Sequence, residues 1–289
     1  FDELAAHAGA SVRVDGTRLQ VFDSAPADGW QATPIAHDGS HPPSLTLSAG
    51  DRAILAGEQG RAAQVAMQLV LRMAELQGAR ELLDVTQAHI DGCIYTGPAF
   101  LRFAQQLLDW DAKVCVPTTL NSISVDQRQW RALGIDPAFG EPASELGDVY
   151  MAMGAALSYT CAPYLLDSAP KAGEQIVWAE SNAVVYANSV LGARTLKYPD
   201  YLDICIALTG RAPRSGSHLD EGRHASLLIE VEAPQQADDS FWPLLGYHVG
   251  LLAGSDIPVL SGLEHSAPNT DDLKAFGAAF ATTSAAPMF

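Results

Sequence analysis

Short apolar runs alternate with longer segments in which apolar residues recur every three or four positions, from residue 45 to the end of the chain. The short runs are typical of buried strands, and the longer spacing is typical of helices with one apolar face. The predicted strands are 82–85, 112–117, 157–160, 176–179, 226–232 and 257–260. The predicted helices are 48–55, 61–77, 97–110, 125–133, 146–156, 182–192, 198–208, 244–252 and 271–281. Alternating strands and helices predict an α/β protein with mostly parallel sheets flanked by helices.

Residues 1–44 differ from this pattern and form a predicted N-terminal segment and linker. Asp15-Gly16 lies between alternating apolar residues, which predicts a β-hairpin from Ser11 to Phe22. Four prolines and several glycines then indicate a linker. The main domain is predicted to span 45–289. It is expected to be incomplete at its C-terminus, because Phe289 closes an apolar run that resembles the start of a strand. Phe1 is not an initiator methionine, so the sequence is also expected to be part of a longer protein.

The stretch 175–194 is the centre of the predicted architecture, because a strand runs there directly into a helix. Glu180, Ser181 and Asn182 separate the two elements, and Gly192 ends the helix. With Ser181 or Asn182 as N-cap, the free N–H groups of the first turn would favour an anion or a substrate oxygen. Asn188 and its neighbour Ser189 continue the polar stripe two turns later, and a capped core helix with a hydrogen-bonded stripe explains them equally well.

Five polar segments each follow a predicted strand or buried helix: 87–91, 118–122, 161–164, 180–182 and 211–221. Polar loops at the carboxyl ends of strands are the usual ligand site of such sheets, so we expect several of these segments to converge. Two histidines in these segments can be explained by a structural role as well as by a role in ligand binding. His89 suits a turn stabilised by Asp91, and His218 beside Asp220 suits either a metal site or a solvated turn.

The four cysteines show no C-x-x-C pair and no disulfide spacing. Cys115 and Cys205 lie between apolar residues and are predicted to be core thiols. Cys93 and Cys161 lie in loops, where a thiolate facing a cleft and a buried structural thiol are both open alternatives. This usage suits a reducing compartment, and with no apolar run of transmembrane length we expect a cytoplasmic protein.

Charge excludes two classes of partner. The net charge of -17 argues against nucleic acid and anionic membranes, since both require a basic surface. A small anionic substrate would therefore need local arginines. A sugar- or nucleotide-binding α/β protein could use the same loops, but no Gly-rich phosphate motif is present.

Four segments resemble the aconitase X family: WAESNAVVYANSVLGART at 178–195, VPTTLNS at 116–122, TCAPYLL at 160–166 and HIDG at 89–92. The similarity extends from about Leu45 to Phe289. The segments CIYTG at 93–97, YPDYLDICIALTGRAP at 198–213 and FWPLLG at 241–246 are most similar to the single-chain bacterial branch, which comprises cis-3-hydroxy-L-proline dehydratases. The other branch is heterodimeric and dehydrates mevalonate 5-phosphate.

This resemblance implies an aconitase-like layered α/β fold and an iron-sulfur hydro-lyase, with a 2Fe-2S cluster as Lewis acid on the leaving hydroxyl. The expected reaction converts cis-3-hydroxy-L-proline, an imino acid, to pyrroline-2-carboxylate. Mevalonate 5-phosphate dehydration and a non-catalytic aconitase-like subunit are the alternatives.

The resemblance also implies residue roles. Cys161 is the expected cluster ligand, and the expected catalytic residues are His89, Asp91, Glu180 and Ser181. The expected substrate-binding residues are Thr118, Thr119, Asn121, Ser122, Asn182 and Arg194. The remaining cluster ligands and a serine base are expected outside this stretch, the base in a small swivel domain of the same chain or of a second subunit.

Overall fold

The computed structural model describes residues 45–289, except 233, 235–237 and 264, together with two strands near the N-terminus. These strands, β1 (Ser11–Asp15) and β2 (Arg18–Phe22), pair antiparallel with Asp15 opposite Arg18, which confirms the predicted hairpin pairing. The rest of the predicted segment 1–44, including its linker, lies outside the described residues.

Eight α-helices lie in the described part of the chain, and three of them begin at a side-chain cap. Ser48 and Asn269 each form a capping box, and Asp136 caps a helix whose first residue is proline. The helices are α1 (Ala49–Leu55), α2 (Arg61–Leu76), α3 (Pro98–Asp109), α4 (Pro137–Ala152), α5 (Ser181–Tyr186), α6 (Leu202–Thr209), α7 (Phe241–Ala253) and α8 (Thr270–Thr283). A π-helical turn, Ala187–Leu191, extends α5 to Gly192.

The remaining strands are short and form three small sheets in the described residues. They are β3 (Leu82–Asp84), β4 (Ala88–Ile90), β5 (Thr118–Leu120), β6 (Val177–Trp178), β7 (Arg211–Pro213), β8 (Leu227–Glu230) and β9 (Pro258–Ser261). A parallel sheet has the order β5-β4-β6, β8 and β9 pair in parallel, and β3 and β7 pair antiparallel. The α/β class is confirmed.

Two strands lie where polar loops were predicted, and this is the main correction to the secondary structure. The chain at 112–117 and 157–160 is irregular, whereas β4 and β5 are formed by Ala88–Ile90 and Thr118–Leu120. His89 in β4 and Thr118 and Thr119 in β5 are polar, so these strands are not continuous apolar runs.

Two predicted helices also differ. Residues 125–133 form turns, and the helix predicted at 146–156 begins earlier, at Pro137, and ends at Ala152. Proline is favoured in the first turn of a helix, where its missing N–H has no intrahelical partner, so Pro137 marks a start that the apolar spacing alone did not reveal.

The largest core cluster packs α2 and α6 against β3 and β4. A separate cluster lies between α7 and α8, which approach closely at Gly246: a Cβ there would lie 2.3 Å from the carbonyl oxygen of Phe276. None of the described helices combines the length and the hydropathy needed to cross a lipid bilayer.

Buried hydrogen bonds join the C-terminal part of the chain to α5 and the residues after it. The amide of Asn188, which is 2% exposed, donates to the carbonyls of Thr195 and Pro287, each at 2.9 Å. Ser189 Oγ accepts from the amide of Phe289 at 3.0 Å, and Lys197 Nζ donates to the carbonyl of Ser284 at 2.8 Å. The polar stripe on this helix is therefore a structural hydrogen-bonded one.

Candidate active site

Three side chains form a row across one face of the β5-β4-β6 sheet. His89 pairs in parallel register with Thr119 on one side and with Trp178 on the other, so all three side chains project to the same face. His89 Nδ1 lies 2.8 Å from Thr119 Oγ1, and the His89 and Trp178 rings meet edge-on at 5.9 Å. The row therefore provides a rigid floor beneath the carboxyl ends of the strands.

A second row lies two residues further along each strand and is more polar. Asn121, Asp91 and Glu180 follow Thr119, His89 and Trp178 at the strand ends. The Asn121 amide donates to Asp91 Oδ1, and the Asn121 backbone N–H donates to the Ile90 carbonyl at 2.9 Å. Glu180 Oε2 lies 3.7 Å from His89 Nε2. Parallel strands thus bring two carboxylates, an amide and an imidazole to one edge.

Cys161 completes this group from a separate loop. Its thiol is solvent-exposed and donates to Ser122 Oγ at 3.3 Å. The Asn182 amide reaches the Cys161 carbonyl at 3.5 Å. Cys161 therefore lies beside Ser122 and Asn182, so the polar segments 118–122, 161–164 and 180–182 converge in the structure.

Buried polar atoms without a hydrogen-bond partner concentrate here. Among the described residues seven such side-chain atoms occur, and four belong to this group: His89 Nε2, Trp178 Nε1, Glu180 Oε2 and Asn182 Oδ1. Buried polar groups in folded proteins are nearly always paired, so four unpaired atoms in one place indicate a position that a ligand or ordered water fills.

Burial sets the charge state of His89. Its side chain is fully buried, and desolvation lowers the pKa to about 4 although the nearby Asp91 carboxylate opposes this shift. At neutral pH the imidazole is therefore uncharged, and the floor of the site carries no cation.

Glu180 is shifted in the opposite direction. Burial, followed by repulsion from Asp91, raises the pKa of Glu180 to about 8, although hydrogen bonds involving Cys161 and Asn182 lower it in part. A carboxyl with this pKa holds its proton near neutral pH, which is what a general acid needs. Glu180 is thus a carboxyl group, protonated near neutral pH, that lies beside a second carboxyl-bearing residue, Asp91.

Thr118 and Arg194 are not brought to this group. Strand alternation turns Thr118 to the opposite face, where its hydroxyl donates to the Val116 carbonyl at 2.8 Å. Arg194 pairs with Gln175 at the other end of β6, and its guanidinium binds the Asp220 carboxylate and, at 3.1 Å, the His218 carbonyl. Gln175 and Glu180 are separated by five residues of extended chain, roughly 16 Å.

The start of α5 also differs from the expected cap. The N-cap residue is Glu180, which makes no side-chain capping bond, and Ser181 is an exposed residue of the first turn. The expected capping by Ser181 or Asn182 is wrong, because the helix begins one residue earlier than the pattern of small polar residues indicated.

The other predicted metal or thiol candidates have structural partners. His218 is buried, with Nε2 bonded to the Tyr198 hydroxyl at 2.5 Å and Nδ1 to Gln175 Oε1 at 2.6 Å. Cys93 donates to the carbonyls of Ile90 and Asn121 and, like Cys205, is buried with a raised pKa. Cys115, expected in the core, is exposed.

An iron-sulfur cluster bound by three cysteines does not fit the described residues alone. They hold no group of three His, Cys, Asp or Glu side chains able to share a metal ion. Cys161 is the single exposed thiol in the group, so these residues supply at most one cysteine ligand, and we derive no step through the cluster.

Asp203 and Asp200 are two acidic residues near the site that the sequence did not reveal. Asp203 is buried behind β4, and burial together with Asp91 raises the pKa of Asp200 to about 6. Both lie in or just before α6, where periodicity predicted only a core helix. An ionisable residue inside the apolar run 202–208 was the available signal.

Together these features define an α/β protein with an acidic, partly unpaired polar site at the carboxyl edge of a parallel sheet. A family model described as Aconitase X first domain matches residues 44–221, and one described as Aconitase X second domain matches 225–289. The chain belongs to the aconitase X family.

Similar proteins agree with this assignment. The chain is 64% identical over 248 residues to a protein of Hypocrea jecorina named Cis-3-hydroxy-L-proline dehydratase, a match that covers 85% of this chain and 42% of the relative. It is 58% identical over 291 residues to the protein of the same name from Pseudomonas aeruginosa, covering 100% of this chain and 49% of the relative. The chain spans about half the length of these relatives.

Two further comparisons are more distant. A Phosphomevalonate dehydratase large subunit from Methanothermobacter thermautotrophicus is 35% identical over 235 residues, covering 81% of this chain and 58% of the relative. The crystal structure of Thermococcus kodakaraensis aconitase X in its holo-form superposes with a TM-score of 0.76 at 34% identity, covering 84% of this chain and 61% of that one. The predicted fold is thereby confirmed.

Proposed function

We propose that this chain carries part of the active site of a hydro-lyase that converts cis-3-hydroxy-L-proline to pyrroline-2-carboxylate and water. The observation that carries the proposal is the group formed by Asp91, Glu180 and His89, with its unpaired buried atoms. The identities of 64% and 58% to proteins named for this reaction support the same substrate.

The charge of the site supports an imino acid over a phosphorylated substrate. Asp91 lies beside Glu180 and near Asp200, whereas His89 is kept neutral by burial. A carboxylate stabilises the cationic ring nitrogen of hydroxyproline, while a phosphate dianion in the same place would be repelled. We assign Asp91 to the ring nitrogen.

Glu180 is the proposed acid. The reaction removes the proton from C2, breaks the C3–O bond and forms a C2=C3 double bond, giving an enamine that tautomerises to the cyclic imine. The departing hydroxyl needs a proton to leave as water, and the raised pKa of Glu180 suits that donation. His89 is neutral, and its Nε2 lies 3.7 Å from Glu180 Oε2, so no cation draws the proton from this carboxyl. Thr119, Asn121, Ser122, Ser181 and Asn182 line the same edge.

The remaining parts of the machinery follow from the family resemblance. The cofactor is a 2Fe-2S cluster for which Cys161 supplies one thiolate, and the other ligands lie beyond the described residues. The base is carried by a small swivel domain in the same chain or in a second subunit. The cytoplasm is the proposed compartment.

The test uses the full-length protein, purified without oxygen and assayed with cis-3-hydroxy-L-proline and with mevalonate 5-phosphate. We expect a coloured protein that consumes the imino acid and leaves the phosphate ester unchanged. Turnover of mevalonate 5-phosphate alone would transfer the chain to the other branch. A protein inert towards both after reconstitution with iron and sulfide would support a non-catalytic subunit.

A further inference from the structure

A fully buried carboxylate lies directly behind the proposed site. Asp203 is the second residue of α6 and has no solvent exposure. Its neighbours in the helix, Leu202 and Ile204, are apolar, and within the described residues its hydrogen-bond donors are backbone N–H groups and not basic side chains. An unpaired buried carboxylate is costly, so its retention requires a specific hydrogen-bonding role.

The Asp203 carboxylate binds the backbone turn that carries Asp91. Its Oδ2 accepts the N–H of Asp91 at 2.9 Å and that of Gly92 at 3.1 Å. Its Oδ1 accepts the N–H of Ile204 at 2.7 Å, in the first turn of α6. One carboxylate therefore ties the end of β4 to the start of α6.

The backbone before α6 is held in an unusual conformation that supports this contact. Tyr201 has a φ of 73°, in the left-handed region that non-glycine residues rarely adopt. Its ring packs on Phe100 at 4.7 Å and on Phe103 at 4.5 Å, which stabilises the turn. Helix α6 therefore begins at Leu202, which places its second residue, Asp203, within hydrogen-bond distance of the 91–92 turn.

Hydrogen bonds continue from this turn to the exposed thiol. Asp91 Oδ1 accepts from the Asn121 amide, and Asn121 Oδ1 accepts the backbone N–H of Ser122 at 2.7 Å. Ser122 Oγ then accepts from Cys161 at 3.3 Å. The position of the 91–92 turn consequently affects Asp91, Asn121 and, through Ser122, the loop that carries Cys161.

We propose that Asp203 is a positioning residue, whose carboxylate fixes the Asp91–Gly92 turn and thereby the distance of Asp91 from Glu180. It touches no reacting atom. Its effect on turnover rests on the proposed function, whereas its effect on the turn does not.

The experiment compares Asp203→Ala, which removes the acceptor, with Asp203→Asn, which keeps one oxygen for the two amides but faces an NH₂ towards the Ile204 N–H. The matched control is Asp51→Asn. Asp51 is 1% exposed and bound by Arg211 and Ser48 at the start of α1, so it is equally buried and structural but is not part of the site. All variants are made in the full-length protein.

The first measurement is steady-state turnover of cis-3-hydroxy-L-proline per folded molecule. We expect Asp203→Ala to lower kcat about 100-fold, more than it changes KM, because a misplacement of about 1 Å can cost that much. The kcat of Asp203→Asn should be about tenfold higher than that of Asp203→Ala, and the kcat of Asp51→Asn should equal that of the wild type. A kcat for Asp203→Ala equal to that of Asp51→Asn would overturn the positioning role.

The second measurement is amide hydrogen exchange, which needs no activity. We expect exchange at Asp91 and Gly92 to rise at least tenfold in Asp203→Ala and at least threefold in Asp203→Asn, with α2 unchanged. Unchanged exchange at both amides, or an equal rise across the chain, would overturn the proposal. If Asp203→Ala does not fold, the asparagine variant decides by the same criterion. A wild type inert towards the imino acid refutes the proposed function, while amide exchange still decides the role of Asp203.

Discussion

At the residue scale, Glu180 lies in an environment that disfavours its negative charge. Burial and Asp91 both raise its pKa, to about 8, and its Oε2 has no hydrogen-bond partner. Residues that are buried at a cost to stability are characteristic of functional sites, since substitutions that relieve the cost usually remove activity.

Glu180→Gln should therefore separate activity from stability. Glutamine keeps the shape but carries no proton to donate, so we expect turnover to fall at least about 100-fold. The melting temperature near neutral pH should stay about equal, because Glu180 holds its proton there and glutamine is likewise uncharged. Steady-state kinetics and thermal unfolding of the full-length protein measure both quantities.

Glu81→Gln is the matched control for this substitution, since Glu81 is half-exposed and bonded to Arg214 on the surface. It should change neither quantity appreciably. If the turnover of Glu180→Gln stays within about threefold of that of the wild type, Glu180 is not the general acid.

His218 should make stability depend on pH in a defined direction. Burial, followed by the charges of Arg194 and Arg223, lowers its pKa from 6.5 to about 4. Between these values the unfolded chain binds a proton that the folded chain excludes, so the stability due to neutral His218 is complete above pH 6.5 and is lost as the pH falls towards 4.

The measurement is the difference in unfolding free energy between wild type and His218→Gln, followed from pH 7 to pH 4. We expect it to fall by on the order of 2 to 3 kcal/mol, as a shift of this size implies. His248→Gln, at an exposed position on α7, serves as the comparison variant. A constant difference for His218→Gln would contradict the prediction.

At the element scale, the close approach of α7 and α8 depends on a residue without a side chain. A Cβ at Gly246 would lie 2.3 Å from the Phe276 carbonyl oxygen, which is backbone and cannot turn aside. Gly246→Ala should therefore cost about 1 to 3 kcal/mol of stability, although alanine is the better helix former.

Denaturant unfolding of Gly246→Ala measures this cost. Leu252→Ala on the same helix, at a side chain 54% exposed, serves as the comparison and should cost much less. Equal stability of Gly246→Ala and wild type would show that the helices can move apart without loss.

The strands show how far the sequence alone could lead. Long helices with an apolar face and a terminal signal, such as α2 and α8, were found near their true bounds because both signals agree. β4 and β5 were missed because apolar runs were required of a parallel strand. Their residues read Ala-His-Ile and Thr-Thr-Leu, and the polar side chains that share one face lie two positions apart, His89 with Asp91 and Thr119 with Asn121.

The same alternation decides which site residues could be found. His89, Asp91, Asn121 and Glu180 were named from polar stretches and family segments, and they do lie at one edge. Thr118 was included because it adjoins Thr119, although neighbours in a strand face opposite sides. The position of Asp203 inside an apolar run marked it as unusual, but its contact with the 91–92 turn could not be predicted, because that contact spans more than a hundred residues and depends on tertiary packing.

At the scale of the whole molecule, the parts matched by the two family models are joined through a buried amide. Asn188 binds the carbonyls of Thr195 and Pro287, and its Oδ1 accepts from the Thr195 N–H at 3.1 Å and from Arg223 at 3.1 Å. The described residues of both parts should therefore unfold in one cooperative step.

Asn188→Ala should weaken that link. The substitution removes the side-chain partners of the Pro287 carbonyl and of the buried Thr195 N–H, so we expect a loss of about 2 to 4 kcal/mol and a less cooperative transition. Gln68→Ala, on the exposed side of α2, should be close to neutral. Calorimetry measures both effects, and a sharp transition at the wild-type temperature in Asn188→Ala would contradict the prediction.

The four unpaired atoms around His89 and Glu180 have a consequence for how ligands can be recognised before any chemistry is measured. A molecule that supplies their missing partners binds only the folded chain, and at 100 times its dissociation constant it adds about 2.7 kcal/mol to the free energy of unfolding. Heat resistance is thus a readout of occupancy. Cyclic amino acids that differ by a single hydroxyl can be ranked by the rise in melting temperature that each one causes. This measurement can be made in air and needs no turnover.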